Sequence, residues 1–186
     1  MFKKILAILI ATLFMLAGCT GHNSGETATP HLNPLSVQNE DGDIIYFGMS
    51  RTAAEEILGE GELTAPNMYA YQEGSFLLLY RDDTVVLIIV PEVGWRSPGG
   101  AAVDMMRNDL HNLYALTHEF INDDNGGHNG GTGGMIYDEQ LNILPPIDSP
   151  LVEAEWAFII DFAYSNDLEI VIGFVIGDRQ AAITFS

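Results

Sequence analysis

The sequence has 186 residues, of which 47% are hydrophobic and 18% charged, a balance typical of a packed globular protein and too apolar for a disordered chain. Seven basic residues against 26 acidic ones give a formal net charge of −19, so the chain lacks the basic footprint that nucleic acids and anionic lipid headgroups require. The single cysteine excludes a disulfide framework and a metal site built from several thiolates.

The N-terminal segment has the pattern of a secretion signal. A lysine pair precedes an apolar run from Ile5 to Leu16, which is shorter than the roughly 20 residues that a membrane-spanning helix needs. The run ends in Leu16-Ala17-Gly18-Cys19, which resembles the bacterial lipobox. That resemblance implies removal of residues 1–18 as a lipoprotein signal peptide and attachment of diacylglycerol to the Cys19 thiol. We therefore expect a chain anchored by lipid to the cell membrane outside the cytoplasm, or to the outer membrane where the host has one.

Residues 19–42 are predicted to form a flexible tether. They are rich in Gly, Ser, Thr, Asn and Pro and lack periodic apolar residues. Once the signal peptide is removed, the chain keeps five arginines and no lysine against 26 acidic residues, so self-repulsion keeps it soluble and away from other polyanions. Regular structure is expected to begin near Asp43.

Residues 43–96 predict a short helix followed by an antiparallel meander. The helix is expected to end at Leu58 because Gly59 follows, and either Ser50 or Thr52 can cap its N-terminus. Three strands are predicted over residues 67–73, 75–81 and 84–90, separated by the turn residues Glu73-Gly74 and Asp82-Asp83.

Residues 97–186 predict a second helix-plus-meander unit. Ser97-Pro98 is expected to open a helix that runs to about Leu116, and strands are predicted over residues 155–162, 168–176 and 180–186. The strand pattern from Phe76 to Tyr80 recurs from Phe158 to Phe162. The starts of the two predicted helices are closer together in the sequence than these two strands are. The difference predicts a Gly-rich insertion in the second unit at about 122–151. The predicted fold is α+β, with two divergent helix-plus-meander units in pseudo-tandem.

Three features of the first unit resemble one group of families: Gly48-Met49-Ser50, a short helix ending in Leu58-Gly59, and a tyrosine-bearing meander. The group comprises the β-lactamase inhibitor proteins and the small lipoproteins of the outer-membrane β-barrel assembly machinery. The resemblance covers residues 44–90 and, in outline, 97–186. It implies an α+β unit, used singly or in tandem, that grips other proteins and does not catalyse a reaction. The proline that the family carries after Leu-Gly is absent, since Glu60 follows Gly59.

The sequence lacks the common catalytic motifs. It has neither a Gly-x-Ser-x-Gly elbow nor a phosphate-binding loop that ends in lysine. His118-Glu119 begins like a zinc-protease motif, but Asn122 stands where the second histidine is needed. On one helix His111 and His118 would lie roughly 10 Å apart, too far to share an ion. We predict no enzymatic activity, no cofactor and no dedicated metal site.

Binding residues are the remaining candidates. Tyr69, Tyr71 and Trp95 could stack on sugars or contact a partner, although ordinary packing is the favoured explanation for them. His128 lies in the Gly-rich segment, whose Asp and Asn oxygens suit loose Ca²⁺ binding without matching an EF-hand loop.

We predict a noncatalytic binding protein of the cell envelope that favours an unidentified protein partner and does not bind nucleic acid. The alternative is a lipoprotein that binds divalent cations or small ligands. A hydrolytic enzyme is less expected, since it would require a pocket in which carboxylates or His128 converge.

Overall fold

The structure is a computed structural model. In the part of the chain that it describes, alternating apolar side chains and turn residues form two antiparallel sheets and two short α-helices. That part comprises residues 33–114, 116, 118–122, 130–145, 158–165, 168–178 and 180–181. All of it belongs to one compact unit, Leu32–Ser186. Within these ranges no helix is both long enough and apolar enough to cross a membrane. The predicted α+β class is confirmed.

The smaller sheet has the strand order β2-β1-β7, with β1 at Ser36–Asn39, β2 at Ile44–Tyr46 and β7 at Trp95–Arg96. Strand β1 lies inside residues 19–42, so the tether predicted there is shorter and the expected start near Asp43 is too late. The strand is stabilised by burial of Leu35 and Val37 in the core. Two apolar residues among polar ones are too few to reveal a strand without its pairing partners.

The larger sheet has eight strands in the order β3-β4-β5-β6-β11-β10-β9-β8. Each half of the chain supplies four consecutive strands, and β6 pairs with β11 at the centre. Their bounds are β3 Glu62–Ala65, β4 Met68–Tyr71, β5 Phe76–Arg81, β6 Thr84–Val90, β8 His118–Asn122, β9 Gly130–Tyr137, β10 Phe158–Ser165 and β11 Ile170–Asp178. The three strands predicted for the first unit correspond to β4, β5 and β6, and β3 is an additional edge strand.

Helix α1 spans Arg51–Leu58, as the sequence predicted. Of the two candidate caps, Ser50 takes the role: the backbone N–H of Ala53 donates to Ser50 Oγ over 3.3 Å. The helix ends at Gly59, whose φ of 83° lies in the left-handed region that favours glycine.

Helix α2 spans Arg107–Leu113, so its predicted start at Ser97 and its predicted end near Leu116 are both corrected. Ser97 opens a turn instead, in which the N–H of Gly100 donates to the Ser97 carbonyl over 2.8 Å. The Tyr114 hydroxyl holds this turn, accepting from the N–H of Gly99 over 2.8 Å and pairing with Ser97 Oγ over 2.7 Å. A Cβ at position 99 would collide with the Tyr114 ring, so only glycine fits there.

The second unit also departs from its predicted strands. Strand β9 lies inside the predicted insertion, because pairing with β8 on one side and β10 on the other overrides the poor strand propensity of its glycines. Strands β10 and β11 each extend further toward the C-terminus than predicted. The third predicted strand does not begin at Gln180, because Gln180 and Ala181 are helical; residues 182–186 lie outside the described residues.

One face of the larger sheet packs against both helices and the smaller sheet; we call it the core face. Its buried side chains meet Ala54 and Leu58 of α1, Leu110 of α2, and Val37, Ile45 and Trp95 of the smaller sheet. Large rings and branched chains fill this layer, including Tyr71, Phe76, Leu78, Tyr80, Ile88, Phe162, Phe174 and Ile176.

Candidate functional site

The opposite face of the larger sheet, which we call the second face, carries aliphatic side chains. Along β5, Phe76 and Leu78 are buried on the core face, whereas Leu77 and Leu79 alternate with them and are partly exposed. Because partners in register share one face of a sheet, strand pairing identifies the other members of the second face.

One row of register partners crosses the second face. It runs through Glu62, Ala70, Leu77, Ile89, Val175 and Asp161 on six adjacent strands. The four apolar members, which we call the apolar strip, are all partly exposed: Ala70, Leu77, Ile89 and Val175. With neighbouring strands about 4.8 Å apart, the strip is roughly 14 Å long. It forms a continuous apolar surface on a hydrogen-bonded scaffold.

A small buried cluster supports the strip from one side. Val86, Leu87 and Ala181 form a small buried cluster, against which Ile89 and Val175 of the strip are packed. The N–H of Ala181 donates to Asp178 Oδ1 over 2.6 Å, which holds the C-terminal turn beside this cluster. The strip is therefore fixed by packing at one border, and its four side chains are partly exposed.

Carboxylates surround the other borders of the strip. Glu62 is exposed and stands one strand beyond Ala70. Glu73 lies in the turn between β4 and β5, and Glu92 follows β6; both are exposed. We call these three side chains the rim carboxylates. The Ser75 hydroxyl donates to Glu92 Oε2 over 2.9 Å and so connects the two ends that carry Glu73 and Glu92.

The far end of the β5–β6 hairpin is also acidic. Asp82 and Asp83 form its turn with φ values of 51° and 56°, the left-handed conformation that two-residue hairpins require. Arg81 lies beside them, and its guanidinium is paired with Asp178 over 2.8 Å. The surroundings of the strip therefore carry a net negative charge.

Two of the predicted contact residues belong to the core. Tyr71 is 1% exposed, and its hydroxyl pairs with that of Tyr80 over 2.7 Å. Trp95 is 3% exposed, and its ring centroid lies 4.7 Å from that of Phe76. Both rings face the hydrophobic core between the two sheets, so they have the packing role that the sequence favoured.

Tyr69 is partly exposed but already engaged. The Arg51 guanidinium lies 3.7 Å from its ring centroid, and Arg51 Nε donates to Glu55 Oε1 over 2.7 Å. This stack attaches the start of α1 to β4. The other two predicted site residues, Cys19 and His128, lie outside the described residues.

The buried tyrosines are poised to stay neutral. Desolvation by burial raises the pKa of Tyr71, Tyr80 and Tyr114, and it raises the pKa of Tyr137 to about 12. Neutral, hydrogen-bonded phenols of this kind stabilise the core and do not supply a phenolate near neutral pH.

Within the described ranges, no group of three or more His, Cys, Asp or Glu side chains could hold a metal ion. Most of the segment predicted to bind Ca²⁺ loosely lies outside them. Asp138, further along, accepts hydrogen bonds from the Asn142 side chain and backbone and from the Gln140 N–H, each over 2.9 Å. The Asn142 bonds lower the pKa of Asp138, whose role is to shape a turn.

Sequence reasoning missed the apolar strip. The signal was present, since β5 and β6 are apolar at consecutive positions, a pattern typical of strands covered on both faces. Position in the sequence alone did not indicate which of these side chains stays partly exposed.

No family model matches the chain, and no curated protein sequence matches it. Among solved structures, the chain is similar to an extracellular protein containing an SCP domain from Bacillus anthracis str. Ames, with 13% identity and a TM-score of 0.48. The alignment covers 89% of this chain and 50% of that protein, so the chain spans about half of its length.

Proposed function

We propose that this protein is a noncatalytic binding protein of the cell envelope, held outside the cytoplasm by lipid on Cys19, and that it binds a protein partner on the second face of its larger sheet. The observation that carries the proposal is the apolar strip. Four adjacent aliphatic side chains stay partly exposed beside a buried cluster of Val86, Leu87 and Ala181.

Physical chemistry favours binding at such a strip. Each Å² of apolar surface that a partner removes from water contributes about 25 cal/mol, which the folded monomer has not yet gained at these side chains. The strip lies on central strands whose backbones are paired on both sides, so little conformational freedom is lost on binding. The family resemblance of residues 44–90 points to the same class of function.

We also propose that the two halves are divergent copies of one unit. In both, a helix begins with an arginine that stacks on a tyrosine of the sheet: Arg51 lies 3.7 Å from Tyr69, and Arg107 lies 4.6 Å from Tyr164. A four-stranded meander follows each helix, and the last strands, β6 and β11, meet at the centre. Duplication would explain how so short a chain acquired a sheet wide enough to bind a protein.

The test is capture from an envelope extract with the mature chain carrying Cys19→Ser, so that the bait is soluble. Three baits are compared: the parent chain, Ile89→Glu in the strip, and Leu63→Glu as control. Leu63 is 60% exposed and pairs with Tyr69, so it lies on the opposite face and receives the same new charge. Circular dichroism verifies that each bait is folded.

We expect one stoichiometric protein to be retained by the parent chain and by Leu63→Glu and to be lost with Ile89→Glu. If no retained protein distinguishes the two variants, the binding proposal is wrong.

The lipid anchor has a separate test. Cys19→Ser in the native host should move the protein from the membrane fraction to the soluble extracytoplasmic fraction. Unchanged membrane partitioning of the variant would contradict the anchor.

A further inference from the structure

We infer that the partner meets the apolar strip with a cationic amphipathic segment, placing aliphatic side chains over the strip and lysine or arginine side chains over the rim carboxylates. This inference rests on the proposed function and adds the chemistry of the partner. It follows from the strip and its charges considered together.

The apolar part sets the dimensions of the contact. The strip crosses four strands, and Glu62 stands one strand, about 4.8 Å, beyond its end at Ala70. A segment that covers roughly 14 Å of apolar surface and then presents a cation would place that cation beside Glu62. Three to four turns of an amphipathic helix have this reach, at 1.5 Å per residue.

The rim carboxylates Glu92 and Glu73 favour a cation at a second border of the strip, in addition to the one at Glu62. Glu92 follows Ile89 by three residues, roughly 10 Å of extended chain, which is about one Debye length at physiological salt. Glu73 lies in the adjoining turn, where the Ser75 hydroxyl is 2.8 Å from the Gln72 carbonyl and 2.9 Å from Glu92 Oε2.

The rim carboxylates are available for such contacts. Within the described residues, none of the three is within ion-pair distance of an arginine or a histidine. Arg51 is paired with Glu55, and Arg81 is paired with Asp178.

The same charges disfavour other occupants. A second copy of this chain would bring its own rim carboxylates and a net charge of −19 against the first, and like charges across an interface oppose association. An anionic lipid surface would meet the same repulsion. A cationic amphipathic segment would be stabilised both by burial of apolar surface and by attraction to the rim carboxylates.

The experiment uses defined peptide probes and the mature chain carrying Cys19→Ser. Two helical peptides of about 18 residues share one leucine face, and their polar faces carry either lysine or glutamate. Binding is measured by fluorescence anisotropy at about 50 mM and about 300 mM salt. We expect the lysine peptide to bind, with lower affinity at the higher salt concentration, and the glutamate peptide not to bind.

Net charge alone would attract the lysine peptide, so two triple variants separate the rim from the total charge. The rim variant carries Glu62→Gln, Glu73→Gln and Glu92→Gln. The control variant carries Glu40→Gln, Asp41→Asn and Glu56→Gln, which remove the same charge from exposed sites on the smaller sheet's turn and on α1. We expect the rim variant to bind the lysine peptide about tenfold more weakly and the control variant to lose less than about threefold. Equal losses in the two variants would overturn the inference.

An uncharged variant separates this inference from the proposed function. Leu77→Ser with Val175→Ser removes apolar surface from the strip without changing its charge. If this double variant abolishes binding while the rim variant does not weaken it, the strip binds but the cationic partner is refuted. If neither variant alters peptide binding, the peptide does not use the strip, and both the inference and the proposed use of this face fail.

Discussion

Leu77 and Leu78 are neighbours on β5, but Leu78 is fully buried beside its register partner Ile88, whereas Leu77 is partly exposed beside Ile89. The same contrast holds along the strip: Ile89 and Val175 are partly exposed, whereas Ile88 and Ile176 beside them are fully buried. The described aromatic side chains of its central strands face the core, where large rings fill the space between the sheet, the helices and the smaller sheet. The strip consists of aliphatic side chains only, and all four are partly exposed. This is the division of the sheet: the core face is expected to contribute more to stability than the strip, which is the binding surface of the proposed function.

The largest expected effect tests this division directly. Leu78→Ala should lower the free energy of unfolding by about 3 kcal/mol, because it removes buried methyl groups and leaves a cavity. Leu77→Ala should cost about 1 kcal/mol, because its side chain is already partly in water. Urea denaturation of both variants measures the difference. Equal losses in the free energy of unfolding would show that Leu77 and Leu78 contribute alike to stability and would contradict this division.

The next effect concerns the core-face tyrosines at alkaline pH. Burial raises the pKa of Tyr137 to about 12, above the value of about 10 in an unfolded chain. Its contribution to stability is complete below pH 10 and is lost as the pH rises toward 12, because the unfolded state ionises first. Each such tyrosine should steepen the fall in stability by about 1.4 kcal/mol per pH unit in that window. Urea midpoints between pH 9 and pH 11.5 measure it, with Tyr137→Phe expected to reduce the slope.

A smaller effect is expected at the buried hydroxyl pair. Tyr80→Phe leaves the Tyr71 hydroxyl without its 2.7 Å partner in the core, which should cost about 1–2 kcal/mol. The double variant, with Tyr71→Phe added, removes both polar groups and should recover part of the loss. A double-mutant cycle in thermal unfolding tests this, and strictly additive losses would mean that the pair is not coupled.

The smallest effect compares the two halves. Arg51→Gln and Arg107→Gln each remove a cation stacked on a tyrosine, worth about 0.5–1 kcal/mol at such sites. If the halves are copies of one unit, the two losses should agree within experimental error. Chemical denaturation measures both, and a loss confined to one half would weaken the case for a repeat.

The first unit could be predicted well because its signals are local. Ser50 and Gly59 define the ends of α1 through side-chain capping and a left-handed backbone, and Asp82-Asp83 marks the β5–β6 hairpin turn. In the second unit the same rules misplace α2. Ser97-Pro98 has the composition of a helix start, but Gly99, Gly100 and the Tyr114 hydroxyl stabilise a turn there.

The apolar contact site could not be predicted in the same way. Tyr69, Tyr71 and Trp95 were chosen because aromatic rings suit recognition, and two of them are core residues while the third is stacked under Arg51. The strip contains no aromatic residue and no motif. Its members are separated by as many as 105 positions in the chain and meet only through strand pairing.

The sequence by itself determined the α+β class, the first helix with its caps and strands β4, β5 and β6, because capping, turn conformation and side-chain alternation act over a few residues. Only the tertiary structure decided that Leu35 and Val37 help to form a strand, that a run of glycines becomes β9, and which apolar side chains of the larger sheet stay partly exposed. Each of these depends on partners far away in the chain. A backbone hydrogen bond between strands, or the burial of one side chain beneath another, has no counterpart in local sequence until the fold brings the two segments together.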